Sequence, residues 1–258
     1  MAMYEELTGR DIIAKLGPNL GPGKMQINPE GKITMPHFIA PEIPWIVTKI
    51  PDLKCNLPFS VFFQIFGKDL GMPPILCQGC FKVVVRPRTL KELFKLQELQ
   101  EGIFTEDDRI FGCKLGIEKR LFVHGLYGGY FYNRGWARGM QCYKIVREVV
   151  DKHMSPDVQV ILKRACTEME MKFGDSRKWH ITDKQRAIEE ALYSCFEPQL
   201  DTVPQPDWVK IHIMRTWIEW ACMYGDSTYL EYVDKPIHAS YVHFHEGRDL
   251  LTTGEETI

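Results

Sequence analysis

Cys77-Gln78-Gly79-Cys80 is the stretch whose residue types and spacing point most directly to chemistry. Two residues between cysteines let both thiolates turn toward one ion, and a glycine between them permits a tight backbone. The same spacing serves disulfide exchange when a helix opens at the first cysteine. Here the β-branched run from Lys82 to Arg86 follows instead, which favours a metal. One pair does not complete a site. A zinc ribbon needs a second close pair, whereas the other cysteines stand alone at positions 55, 113, 142, 166, 195 and 222. An iron–sulfur cluster accepts scattered ligands and can leave one iron open to substrate, so the expected cofactor is such a cluster, with zinc as the alternative. Cys113, beside Gly112 in the same half of the chain, is the expected third ligand in preference to Cys55 and Cys142. Cys166, Cys195 and Cys222 fall in predicted helices and are expected to pack as core residues.

The second concentration of chemistry runs from His124 to Gly139, HGLYGGYFYNRGWARG. Glycines let a backbone approach a ligand, tyrosines offer faces and hydroxyls, and arginines hold carboxylate or phosphate bidentately. His124, Tyr127, Tyr130, Tyr132, Arg134 and Arg138 are the expected substrate-binding residues. The pattern is neither GxGxxG nor a P-loop, so no dinucleotide or Walker site is expected.

Three weaker features remain. His243 and His245 would share a strand face near His238 and Glu246, where solvated histidines are the expectation. Glu168 and Glu170 are general-base candidates for which the sequence supplies no proton donor. Arg86, Arg88, Lys91 and Lys95 form a basic stretch that could touch phosphates or simply be a solvated helix face.

The elements that must position these residues divide the chain. Eleven of its sixteen prolines precede residue 88, which excludes a simple helical bundle there. Pro29-Glu30-Gly31 predicts a hairpin turn, Pro58 to Gly67 a short apolar helix or strand, and Lys82 to Arg86 a strand stopped by Pro87. Thr89 and Glu92 predict a capping box for a helix burying Leu90, Leu93, Phe94 and Leu96. Residues 109–132 read as strands with glycine turns. Beyond Asn133 the spacing of Trp136, Met140, Tyr143, Val146 and Val150 predicts a helix. A second helix is expected from Ser155-Pro156 to Gly174, a third capped by Thr182 and Gln185, and a fourth from Asp207 to Gly225. Ser240 to His245 reads as a strand before a polar tail. The fold class is therefore α+β: an irregular β-rich N-terminal half with short strands and Cys-bearing turns (1–132), packed on a largely helical C-terminal half (133–258). The two halves are read as separate or as one continuous domain.

Thirty-two Lys and Arg against thirty-four Asp and Glu leave a net charge of −2, which argues against a protein drawn as a whole to nucleic acid or anionic lipid. No eighteen-residue apolar run is present and the first residues are acidic, so no membrane span or secretory leader is expected and a cytoplasmic, reducing location is. The expected function is an iron–sulfur enzyme performing redox or Lewis-acid chemistry on a small anionic or nucleotide-like substrate. The alternatives are a zinc-stabilised protein binding RNA or single-stranded DNA, and a metal-free interaction protein whose cysteines are all core.

Overall fold

Alternation in two strands and proline-free apolar periodicity in the intervening segments decide the centre of the molecule. The computed structural model describes residues 8–21, 24–34, 44–49, 61–63, 71–107, 109–110, 112–197 and 204–237. In chain order the elements are α1 (Gly9–Leu16), β1 (Gln26–Ile27), β2 (Ile33–Thr34), β3 (Trp45–Lys49), α2 (Ile75–Gln78), β4 (Cys80–Arg86), α3 (Leu90–Glu101), α4 (Ile103–Glu106), β5 (Gly112–Ile117), β6 (Tyr127–Arg134), α5 (Trp136–His153), β7 (Gln159–Arg164), α6 (Thr167–Phe173), α7 (Asp183–Cys195) and α8 (Asp207–Met223). The class is α+β, as the sequence indicates.

Five strands form one sheet in the order β3-β5-β6-β4-β7, every neighbouring pair antiparallel. Within it, β4-α3-β5-β6-α5-β7 has the βαββαβ connectivity and the strand order of the ferredoxin-like arrangement, with β3 added at one edge. The sheet runs across residue 133, because β7 pairs with β4 on the far side of that position.

The helices α3 and α5 pack on one face of the sheet. Val83 and Val85 of β4, Cys113 and Leu115 of β5 and Phe131 of β6 join Leu93 and Leu96 of α3, Val146 and Val150 of α5 and Trp217 of α8 in the main core. Two glycines permit this contact. A Cβ at Gly129 would lie 2.3 Å from Leu96 Cδ2, and one at Gly139 would lie 2.9 Å from Phe81 Cβ. These glycines admit neighbouring side chains of the core, where the sequence suggested a ligand's approach. The helix α1, the β1–β2 hairpin and α7 share a smaller cluster around Leu16, Met25, Ile33, Leu192 and Phe196.

Several boundaries agree with the sequence. The hairpin turns at Gly31, whose φ of 76° suits glycine, and Thr182 Oγ1 accepts from the Gln185 N–H. Thr89 Oγ1 accepts from Glu92 N–H, but the Glu92 carboxylate accepts from the Arg88 N–H rather than from Thr89, so the expected capping box is half made. Other readings need correction. Residues 159–164 form β7 rather than helix, because Val160 and Leu162 alternate with their neighbours and pair against β4. The buried stripe of α5 is Gly139, Cys142, Val146 and Val150, while Trp136 is exposed. In 58–67 only residues 61–63 are described, and they are helical; the histidines at 238, 243 and 245, with Glu246, lie outside the described residues. No helix among the described residues is long and apolar enough to cross a membrane.

Candidate functional site

Alternation along the strands puts Cys80, Lys82, Val84 and Arg86 on the sheet face opposite α3 and α5. Tyr130 and Tyr132 of β6, Lys114 of β5 and Trp45 of β3 join them through the strand registers. Charge on a strand this enclosed is the anomaly. Lys82 is 4% exposed on the interior strand β4. Its Nζ lies 3.6 Å from Cys166 Sγ and 5.4 Å from the centre of the Tyr130 ring, and no carboxylate among the described residues pairs with it. Burial disfavours the ammonium, but charge interaction with Cys166, Cys80 and Tyr130 outweighs it and holds the Lys82 pKa above the ordinary lysine value.

Cys166 arrives from the next segment. Ala165 N–H donates to Cys80 O at 2.8 Å, extending the β4–β7 register by one step and seating Cys166 beside β4. Ala165 has a φ of 54°, the one positive value at a non-glycine position among the described residues. A side chain held there is strained, and such strain gathers at functional sites. Cys77 and Cys166 pack together against Ala165, Met169 and Trp179. Cys77 of α2 and Cys166 at the start of α6 thus border one cluster, while Cys80 of β4 lies in another with Val84, Tyr130 and Tyr132.

The turn that carries Cys77 and Cys80 is fixed from behind. Glu189 of α7 accepts from the Ile75 N–H, and Gln185 donates to Pro73 O and to Glu189. Arg164 Nε donates to Gln78 O at 2.7 Å, and its Nη1 to Ser176 O. Gly135 N–H donates to Gly79 O, tying the turn to the start of α5. Gly79 has a φ of −84°, open to any residue, and a Cβ there would meet Ile75 O at an ordinary 3.7 Å. The tight turn the sequence assigned to this glycine is not one that requires it.

A chain of charged groups borders the thiols. Arg120 forks onto Glu118, whose side chain is almost wholly buried, and also bonds Glu168. Tyr130 donates to Glu118 Oε2 at 2.9 Å, and Arg86 Nη1 approaches the Tyr130 hydroxyl at 3.3 Å. Burial would raise the Glu118 pKa, but Arg120 and Tyr130 reverse that and hold it below the ordinary carboxylate value. Lys163 donates to Thr167 and pairs with Glu170, which also accepts from Ser176. Glu168 and Glu170 are thus ion-paired with Arg120 and Lys163. Glu168 Oε2 is buried without a hydrogen-bond partner among the described residues. Lys82, Arg86, Lys114, Arg120 and Lys163 outnumber Glu118, Glu168 and Glu170 here, so the face favours an anion.

No protein-family model, curated protein or solved structure matches the chain.

The residues singled out from sequence fall in different places. Cys77 and Cys80 stay together, but Cys113 faces the helices. It is fully buried, with its Sγ 3.0 Å from Thr48 Oγ1, and burial pushes its thiol up to about 11. Among the described residues no three His, Cys, Asp or Glu side chains stand ready as placed to hold a metal ion. Tyr127 also faces the helices, where its hydroxyl donates to Asp226 at 2.6 Å. Tyr130 and Tyr132 lie on the candidate face, while His124 sits exposed in the β5–β6 turn, at the opposite end of β6 from Cys80. Arg134 is the register partner of Cys80, and both Arg134 and Arg138 are exposed. The six expected substrate residues do not form one pocket, because successive residues of a strand face opposite ways. Cys195 is exposed rather than core. In the basic stretch, Arg88, Lys91 and Lys95 pair with Glu92, Glu231 and Glu98. Lys82, Glu118 and Arg120 escaped sequence reading; a lysine set inside the run CFKVVVR was the available signal.

Proposed function

We propose that the sheet face opposite α3 and α5 binds a small anionic, nucleotide-like substrate, with Lys82 meeting its charge and Cys80 and Cys166 supplying thiol chemistry beside it. One observation carries this reading: a lysine lies buried on the interior strand β4, with a thiol at 3.6 Å as its hydrogen-bond partner and no carboxylate beside it. No carboxylate among the described residues neutralises Lys82, so an incoming anion gains a charge-assisted contact there. Arg86, Lys114, Arg120 and Lys163 extend the attraction, and the Trp45–Tyr130 edge contact offers aromatic surface.

Calorimetric titration with pyrophosphate and with ATP tests the reading. The wild type binds at least one of them, Lys82→Arg retains most of the affinity, and Lys82→Met loses at least about tenfold. Lys82→Met keeps the wild-type circular dichroism spectrum, because methionine fills most of the volume of the lysine stem. A wild type that binds neither ligand, or a Met variant that binds equally well, sinks the proposal.

A second reading keeps the metal and changes its ligands. The bond from Ala165 to Cys80 supports Cys166, in place of Cys113, as the partner of Cys77 and Cys80. Three thiolates suit an iron–sulfur cluster or zinc. Iron, sulfide and zinc analysis of anaerobically purified protein separates the two ligand sets: Cys166→Ser should lose the metal, and Cys113→Ser should keep it.

A further inference from the structure

The helix α8 buries one side and leaves a patterned stripe on the other. Ile213, Trp217 and Ala221 point into the core, and Trp217 Nε1 donates to Pro44 O at 2.9 Å. Trp208 is 69% exposed, Ile211 53% and Met223 75%, with Arg215 and Glu219 exposed between them. Steps of three and four residues align these five on one helix face, opposite Trp217. Three large apolar side chains on one exposed stripe are a surface that water penalises.

Arg215 and Glu219 add a second observation. They stand four apart, the spacing at which Arg88–Glu92 and Arg147–Asp151 pair elsewhere in the chain, yet among the described residues neither has an ion-pair partner. Positions 211 and 223, and likewise 215 and 219, lie symmetrically about the level of Trp217. A two-fold axis at that level makes the stripe its own complement. Arg215 then meets Glu219 of the second copy, twice, and Ile211 meets Met223 twice, with Trp208 reaching past the end of the opposing helix.

We propose that α8 is the interface of a symmetric dimer, in which it packs antiparallel against α8 of a second copy of this chain. An isologous contact requires one patch to be self-complementary, which this stripe is. A parallel pair would set Arg215 against Arg215 and Glu219 against Glu219, so the charges choose the antiparallel arrangement. The same charges in the middle of the stripe disfavour a lipid surface as the occupant.

Sedimentation velocity from low to high micromolar concentration tests this with Arg215→Glu, Glu219→Arg and the double reversal. The wild type dimerises, each single reversal weakens self-association at least about tenfold, and the double reversal restores it because the pairs re-form with exchanged signs. Both residues are exposed, so all variants keep the wild-type circular dichroism spectrum. A wild type that stays monomeric throughout overturns the proposal. So does a dimer that the single reversals leave intact, or a double reversal that fails to restore one they break.

Discussion

The two faces of the central sheet are made from alternate residues of the same strands, and they are opposite in character. Toward the helices point Ile46, Val83, Val85, Leu115 and Phe131, an apolar layer closed by Leu93, Leu96 and Val146. Away from them point Lys82, Arg86, Lys114 and Tyr130, with Glu118 and Arg120 at the margin. One residue along β6 separates Phe131, packed edge-on against Phe104, from Tyr130, bonded to Glu118. The period of two thus sorts stability onto one face and charge onto the other, and no larger separation of domains is needed to do it.

The sharpest way to break that contrast is to truncate each of these neighbours. Phe131→Ala should lower the unfolding free energy by about 3–5 kcal/mol. Tyr130→Phe, which keeps the ring and removes only a hydroxyl, should cost about 1–2 kcal/mol. Urea unfolding measures both, and equal losses would erase the distinction between the faces. Next in size is Gly129→Ala. Its new methyl meets Leu96 Cδ2 within the core, and about 1–3 kcal/mol of overpacking is expected in the same assay.

A further effect is on alkaline pH dependence, and the helix-covered face contributes to it through two thiols. Burial raises the thiols of Cys113 to about 11 and Cys142 to about 12. In the unfolded chain they ionise near about 8.5. Their contribution is therefore complete below that pH and declines as pH rises toward the folded values. Denaturation midpoints should fall between neutral and strongly alkaline pH, and Cys142→Ala should flatten the slope. A wild-type profile already flat in alkali would mean that these thiols ionise without unfolding.

Much of the fold was legible because local rules and tertiary packing agree. The strand ending at Pro87, the caps at Thr89 and Thr182, the hairpin at Gly31 and the helix from Asp207 all stand where residue types put them. The strand β7 was missed because Ser155-Pro156 resembles a helix opening and the alternation of Val160 and Leu162 is brief. The site was legible only in part. Cys77 and Cys80 announce themselves by spacing, but strand pairing decides which other cysteine lies on the same side of the sheet. The register of β4 with β7 brings Cys166 near, and the alternation of β5 turns Cys113 away. Long-range register of that kind leaves no mark in the local sequence.

That register also sets when the site can come into being. Lys82 and Cys166 are 84 residues apart, and they meet only after β4 has accepted the edge strand β7 as its second neighbour. Closing so long a loop is entropically slow, so β7 should dock after the nearer β5–β6 hairpin has formed. A ribosome must therefore have released residues beyond Cys166 before this face is complete, and a nascent chain shorter than that carries Cys77, Cys80 and Lys82 without Cys166.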